Sequence, residues 1–226
     1  MRYIIIGDVH GCADALNALT EKLKPGDSDV LILLGDLFDR GPDSYEVFET
    51  VKALENEFKD RFVLLRGNHE DYLLQEKLTL HQRLIWERVG RGPTVKSFKE
   101  HGIRMEDTIP WIREHCRLYW KGKGFQCVHA GLMVDPPEAN DTYTMIHDHD
   151  IVLLNRYIGS LTVVGHISLE QPIWFTGDGE TIKRLPFGEE IPLPDQGIIC
   201  IDTGCGKNGY LSAMIVEKKQ FRLEKV

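Results

Sequence analysis

The chain has 226 residues, 42% of them hydrophobic and 27% charged, with a formal net charge of −8. That is enough chain to bury a sizeable core, and the acidic balance argues against non-specific binding to nucleic acid or to an anionic membrane, both of which need a basic surface. No apolar run approaches a membrane span, Met1 to Ile6 carries no leader pattern, and the five cysteines (Cys12, Cys116, Cys127, Cys200, Cys205) are odd in number and scattered, so a reducing cytoplasm without a disulfide framework is expected.

Arg2 to Ile6 reads as a short buried strand. A helix is expected from Asp14 to Lys24, with Leu16, Leu19 and Leu23 on one face and Pro25-Gly26 as its stop. Val30 to Leu34 is a second strand. Asp43 to Phe58 places Val47, Val51, Leu54 and Phe58 at helical spacing. Phe62 to Leu65 is a third strand, and another helix starts near Glu70. Strand and helix alternating in this way predict a parallel sheet with right-handed crossovers. The charged stretch from Leu78 to His115, with Trp86 and Trp111, reads as a helical cap inserted into a single domain spanning residues 1–226. The last third differs. Gln126–Val128, Leu161–Val164, Ile198–Ile201, Leu211–Val216 and Gln220–Glu224 are short strand candidates between Gly and Pro signals, and they suggest a second, antiparallel or mixed sheet. The expected fold is an α/β four-layer αββα sandwich of two mixed sheets flanked by helices.

Each of the first three strands runs into a polar cluster: Gly7-Asp8-Val9-His10-Gly11, then Gly35-Asp36-Leu37-Phe38-Asp39-Arg40-Gly41, then Gly67-Asn68-His69-Glu70. The carboxyl ends of parallel strands are where ligands bind in open α/β sheets, so these clusters should meet at one edge. His129, in Cys127-Val128-His129-Ala130-Gly131, and His166, in Val163-Val164-Gly165-His166-Ile167, also follow apolar runs. A single Gly-Asp after a strand is usually only a turn, and a single edge histidine is usually only hydrogen-bonded. Three such clusters in order are poorly explained as turns. Carboxylate, amide oxygen and imidazole donors suit manganese, iron or zinc better than a thiolate-loving metal. Two metals about 3.5–4 Å apart can share a hydroxide and clamp a phosphoryl group. Arg40 adds a bidentate phosphate donor.

These motifs resemble the phosphoprotein phosphatase family of metallophosphoesterases, whose pattern is GDxHG, GDxxDRG and GNHE. Within it, the small bacterial and phage serine/threonine phosphatases are most similar, because Leu154-Asn155-Arg156, Gly165-His166 and Ile201-Asp202-Thr203-Gly204 also follow their later elements. Two positions depart from the pattern: Ala130 stands within the His-Gly-Gly element, and Leu154 replaces an aromatic before Asn155. The resemblance implies the calcineurin-like fold and a pair of divalent metals, manganese first, with iron or zinc also suited. Asp8 and His10 would bind one metal, Asp36 would bridge, and Asn68, His129 and His166 would complete the second. Arg40, Arg156 and Asn68 would hold the phosphate. His69 would protonate the leaving group, oriented and kept charged by Asp39, and a metal-activated hydroxide would attack.

The resemblance leads to the expectation of a serine/threonine protein phosphatase acting on a phosphorylated protein or a small phosphate ester, with no nucleic-acid or membrane partner. The alternative is a dinucleoside polyphosphate hydrolase, which would need a further pocket built from the cap. A nuclease of the superfamily is disfavoured because Gly165-His166-Ile167-Ser168 lacks the second histidine of the usual Gly-His-x-His ending. A non-catalytic scaffold is disfavoured by the complete ligand set. His147-Asp148-His149-Asp150 is read as a solvated loop, Glu70 as a partner of its helix N-terminus, and His81, His101 and His115 as exposed. Asp202 and Cys205 are read as lying near the cleft or as core or turn residues, and Tyr72 and Trp86 as substrate contacts or as packing of the cap.

Overall fold

The computed structural model describes all residues from Met1 to Val226. In chain order the first half comprises β1 (Tyr3–Ile6), α1 (Ala13–Leu23), β2 (Val30–Leu33), α2 (Ser44–Phe58), β3 (Phe62–Leu65), α3 (Asn68–Leu74), α4 (Leu80–Arg88), α5 (Arg91–Glu100) and α6 (Ile109–His115). The second half comprises β4 (Cys116–Arg117), β5 (Tyr119–Lys121), β6 (Gln126–Val128), α7 (Thr142–Ile146), α8 (Asp150–Leu153), β7 (Thr162–Val164), β8 (Ile173–Phe175), β9 (Ile182–Arg184), β10 (Ile191–Pro192), β11 (Ile198–Cys200), β12 (Ser212–Glu217) and β13 (Gln220–Lys225).

The strands form two mixed sheets. One has the order β10-β13-β12-β1-β2-β3-β4, and the other β5-β6-β7-β11-β8-β9. β1, β2, β3 and β4 run parallel, with Ile6 beside Leu33 and Leu33 beside Leu64, so their carboxyl ends share an edge. β12 lies antiparallel to β1, and β13 antiparallel to β12. The sequence expectation that all the later strands belong to a second sheet is therefore corrected. The β12–β13 hairpin returns to extend the first sheet beside β1.

Side-chain alternation along the strands builds the layers. Ile4, Ile6, Leu31 and Leu33 point to the helices and pack with Leu16, Leu19, Val47 and Val51. Ile5, Ile32, Leu34 and Val63 point the other way and meet Cys127, Val163 and Ile199 between the two sheets. Val128, Val164 and Cys200 turn outward against Met145, Ile146 and Val152 of α7 and α8. The result is the four-layer αββα sandwich. The helices between Leu78 and His115 contribute Trp86, Phe98, Met105 and Ile112 to the same core as α1 and α2. No helix is long and apolar enough to cross a membrane.

α3 starts two residues earlier than the sequence suggests, at Asn68. Gly67 is its cap residue, and the Glu70 carboxylate accepts the Gly67 backbone N–H at 3.0 Å. Asn68 and His69 thus stand on the first helical turn.

Candidate functional site

The site lies where the carboxyl ends of β1, β2 and β3 meet those of β6 and β7. The loops after β1 and β2 are knitted together, since the backbone N–H groups of Val9 and His10 both donate to the Asp36 carbonyl, at 3.1 and 2.8 Å. Glu70, fully buried, ties in the third loop. Besides Gly67 it accepts the N–H groups of Asp36 and Leu37, each at 2.8 Å. Its role is therefore wider than the helix-terminus function read from sequence. Five site residues, His10, Asp36, Asp39, Arg40 and His166, have positive φ, between 47° and 72°. Non-glycine residues adopt this region at a cost, and such strain clusters where side chains must be aimed. A Cβ on Gly165 would collide with Asp8 Oδ1, and one on Gly67 with Asp36. Only glycine lets those turns approach the carboxylates.

The donor atoms form two groups that share Asp36. His10, Asp36 and His69 make one, and Asp36, His129 and His166 the other, each with its ligand atoms within 4.8 Å of one another. The two Asp36 oxygens face opposite ways. Oδ2 is 3.5 Å from His10 Nε2, and Oδ1 is 3.5 Å from His129 Nε2. Asp8 Oδ2 is 3.8 Å from His10 Nε2. Asn68 Oδ1 lies 3.1 Å from His129 Nε2 and 2.9 Å from His166 Nδ1. His10 Nδ1 donates to the Phe38 carbonyl at 2.9 Å, and His129 Nδ1 to the Leu34 carbonyl at 2.8 Å. Each bond fixes a tautomer that leaves Nε2 facing the cluster, the usual arrangement behind a metal ligand.

The electrostatics suit cations. Burial, then the neighbouring Asp202 charge, pushes the Asp8 carboxyl well above the usual range. Burial works against the Asp36 carboxylate too, but the His129 and His69 rings hold it well below the usual range. Burial also opposes charge on His129, yet Asp36 and Asp8 push that imidazole up to about 10. Burial and the His129 charge bring His166 down to about 3. Asp36 thus stays ionised and His166 neutral, the forms in which a carboxylate and an imidazole bind a divalent metal. The donor set fits such metals.

Beside this cluster, His69 Nδ1 donates to Asp39 Oδ2 at 2.6 Å. Asp39 Oδ2 also accepts Trp86 Nε1–H at 2.6 Å, and Oδ1 accepts the Thr94 hydroxyl at 2.8 Å. Trp86 and Thr94 are thus more than packing residues, a role their positions in the 78–115 stretch did not signal. The Arg40 guanidinium lies against His10 Nε2 and 3.4 Å from His69 Nε2. Arg156 is not drawn into the cluster. It is exposed, and it lines a surface hollow with Leu154, Ile158 and Asp178.

His147 and His149 are half-buried at the rim and do not form the solvated loop expected from sequence. His147 Nε2 is 3.1 Å from Asp71 Oδ2, and the His149 ring centroid is 5.4 Å from that of His166. His81 and His101 are exposed. His115 is half-buried and stacks on Trp111 at 4.3 Å, which corrects the expectation of exposure. Asp202 is buried and accepts the Ser168 hydroxyl at 2.9 Å. The sequence reading missed Lys207, whose ammonium is 3.2 Å from Ser168 Oγ. A Cβ on its neighbour Gly206 would meet His10 and Arg40, which places this cation near the site, and partial burial and then Arg40 lower its pKa. Its signal was a lysine among the glycines that follow Ile201-Asp202-Thr203-Gly204.

Comparison with known proteins matches residues 1–195 to the calcineurin-like phosphoesterase family model. A symmetrical bis(5′-nucleosyl)-tetraphosphatase of Coxiella burnetii (strain Dugway 5J108-111) is 33% identical over 186 residues, 81% of this chain and 59% of that protein. The protein of the same name from Pseudomonas fluorescens (strain SBW25) is 30% identical over 135 residues, 59% of this chain and 43% of that protein. The matches thus span less than two thirds of either relative. A metallophosphoesterase structure from Sphaerobacter thermophilus superposes with a TM-score of 0.66 at 19% identity, covering 100% of this chain and 88% of that one, a likeness of fold. The names of the two relatives overturn the expectation of a serine/threonine protein phosphatase. The strand-end motifs that carried that expectation gather the donor cluster, and they leave the leaving group undefined.

Proposed function

The chain belongs to the calcineurin-like phosphoesterase family, and from that premise we propose that it is a metal-dependent hydrolase of dinucleoside polyphosphates, with diadenosine tetraphosphate as the type substrate. The observation that carries the reading is the likeness, over 81% of the chain, to a symmetrical tetraphosphatase. The buried donor cluster supports the metal dependence.

In this reading Asp8, His10 and Asp36 would hold one divalent metal, and Asp36, Asn68, His129 and His166 would hold the other. Manganese is the metal we favour, and iron or zinc suits the same donors. When bound, the metals supply a reactive water at neutral pH and positive charge beside the phosphoryl oxygens. The protein's own groups do the rest. Arg40 stands between His10 and His69 and is placed to bind a phosphate oxygen. We keep Arg156 as a second, peripheral phosphate contact on the strength of the motif alone. Asp39 fixes the His69 ring by accepting from Nδ1, which leaves Nε2 toward the cluster, 3.9 Å from Asp36 Oδ2. Water gives up one proton to solvent, and the resulting hydroxide adds to one of the two central phosphorus atoms. The bridging P–O bond breaks, its electron pair goes to the departing phosphate oxygen, and that oxygen takes the proton from His69 Nε2. The products of symmetrical cleavage are two nucleoside diphosphates. A cytoplasmic setting goes with this reading, supported by five cysteines that are all free.

The test is a substrate panel of diadenosine tetraphosphate and a phosphoserine peptide with each metal, with products separated by chromatography. ADP as the sole nucleotide product supports the reading. Negligible tetraphosphate turnover beside rapid peptide turnover, or ATP plus AMP as products, refutes it.

A further inference from the structure

The link from β11 to β12 runs through Gly204-Cys205-Gly206-Lys207-Asn208-Gly209. It is a closed turn. The Gly204 carbonyl accepts the backbone N–H groups of Lys207 and Gly209, at 2.8 and 3.0 Å, and the Thr203 carbonyl accepts that of Tyr210 at 3.1 Å. Gly206, with a φ of 77°, is the point where the turn meets the site. A Cβ there would stand 2.9 Å from His10 Cβ and 3.2 Å from Arg40 Cβ. The turn therefore sits directly on the loops after β1 and β2, and its next residue, Lys207, is held at the rim of the donor cluster.

The Lys207 side chain reaches a further loop of the site. Its ammonium donates to Ser168 Oγ at 3.2 Å, and the Ser168 hydroxyl donates to Asp202 Oδ2 at 2.9 Å. Ser168 stands two residues after His166, whose backbone N–H donates to Asp8 Oδ2 at 3.1 Å. The ammonium is thereby placed at the loops that carry His10, Arg40 and His166. Partial burial and then Arg40 lower its pKa, against the pull of Asp202, Asp8 and Asp36, so Arg40 and the carboxylates of the cluster lie within its electrostatic reach. No carboxylate pairs with it, and the bond to Ser168 leaves two of its three N–H donors free.

The attacked phosphoryl group already has a donor in Arg40, which lies against His10 and 3.4 Å from His69. Arg156 is exposed and lines a separate hollow. Lys207 is thus a cation beside Arg40 that the hydrolysis itself does not use. A polyphosphate chain carries charge on every phosphoryl group, whereas a monoester has one group only. An ammonium on a flexible stem is a compact point charge that can meet a phosphate oxygen without a fixed orientation.

We infer that Lys207 forms a second phosphate subsite: its ammonium receives an oxygen of the phosphoryl group next to the attacked one, and so favours polyphosphates over monoesters. The inference deepens the proposed dinucleotide hydrolysis and rests on it. Ser168, held by Asp202, aims the ammonium.

The test compares manganese-loaded wild type, Lys207→Met and Lys207→Arg. kcat and KM are measured for diadenosine tetraphosphate and for p-nitrophenyl phosphate, and turnover of the latter is inhibited with ADP and with orthophosphate at constant free manganese. In Lys207→Met the tetraphosphate to p-nitrophenyl phosphate ratio of kcat/KM should fall about three- to tenfold, through the tetraphosphate KM, and the preference for ADP over orthophosphate should fall alike. Lys207→Arg, which keeps the charge, should restore most of both. Wild-type ratios in Lys207→Met, or an equal loss on both substrates as a purely structural lysine would give, overturn the subsite, while tetraphosphate turnover by the wild type still upholds the proposed function. A wild type that leaves the tetraphosphate intact sinks that function, and the preference for ADP over orthophosphate then decides the subsite alone.

Discussion

Replacing Glu70 by glutamine perturbs the carboxylate that holds the loops after β2 and β3 together. Oε2 accepts from Asp36 N and Gly67 N at 2.8 and 3.0 Å, and Oε1 accepts from Leu37 N at 2.8 Å. Glutamine keeps one oxygen. Turned toward Asp36 and Gly67, it retains two bonds and sets its NH2 against the Leu37 N–H. One orphaned buried donor costs about 1–3 kcal/mol. Part is returned, because burial and then Asp36 already push the Glu70 carboxyl above its usual range, so its charge is costly there. The net loss is about 1–2 kcal/mol, or about 2–8 °C in melting temperature for a domain of this size. Glu70→Ala orphans all three donors, with an upper limit of about 3–9 kcal/mol before water enters. Thermal unfolding followed by circular dichroism, without metal, should rank wild type above Gln and Gln above Ala. Because the clamp aims Asp36, the manganese concentration for half-maximal p-nitrophenyl phosphate turnover should rise in the reverse order. If Glu70→Gln melts with the wild type and needs no more manganese, the clamp argument is wrong.

Asp36→Asn should reduce the metal content from two ions to at most one and abolish turnover, because one carboxylate faces both donor groups; elemental analysis of the dialysed protein measures it. His69→Asn should keep both metals and lower kcat about 10²–10⁴-fold, the usual share of a general acid; loss of a metal instead would make His69 a ligand. Arg40→Ala should raise KM more than Arg156→Ala does, since Arg40 contacts the His10 and His69 rings and Arg156 is exposed; equal effects would contradict this ranking. In the metal-free protein His129 titrates at about 10 and so carries a proton at neutral pH. Ligation needs the neutral ring, so metal uptake should release a proton, and affinity should rise with pH by up to about tenfold per unit below that value. Calorimetry in buffers of different ionisation enthalpy counts the proton, and a count of zero refutes the assignment.

The donor cluster was legible in the sequence because its carboxylate, amide and imidazole groups follow strands directly. Once β1, β2 and β3 pair in parallel, Asp8, Asp36 and Asn68 must emerge at one edge, and Gly-Asp and Gly-Asn turns announce where. His129 and His166 were legible for the same reason at the ends of β6 and β7. The places where sequence misled are those fixed by long-range pairing. The β12–β13 hairpin has the alternation of any antiparallel pair, and nothing local says that its neighbour is β1 and not β11. The His147–Asp150 run is polar enough for solvent, yet packing of α7 and α8 on the second sheet draws its histidines to the rim. Lys207, Trp86 and Thr94 approach the site from segments with no ligand motif, and only the folded chain brings them within reach. The amino-acid order alone determined which donor groups gather at the strand ends. What holds Asp39, and through it His69, was decided by tertiary structure, because Trp86 and Thr94 reach that carboxylate from helices whose sequence carries only the ordinary pattern of a packed, charged surface.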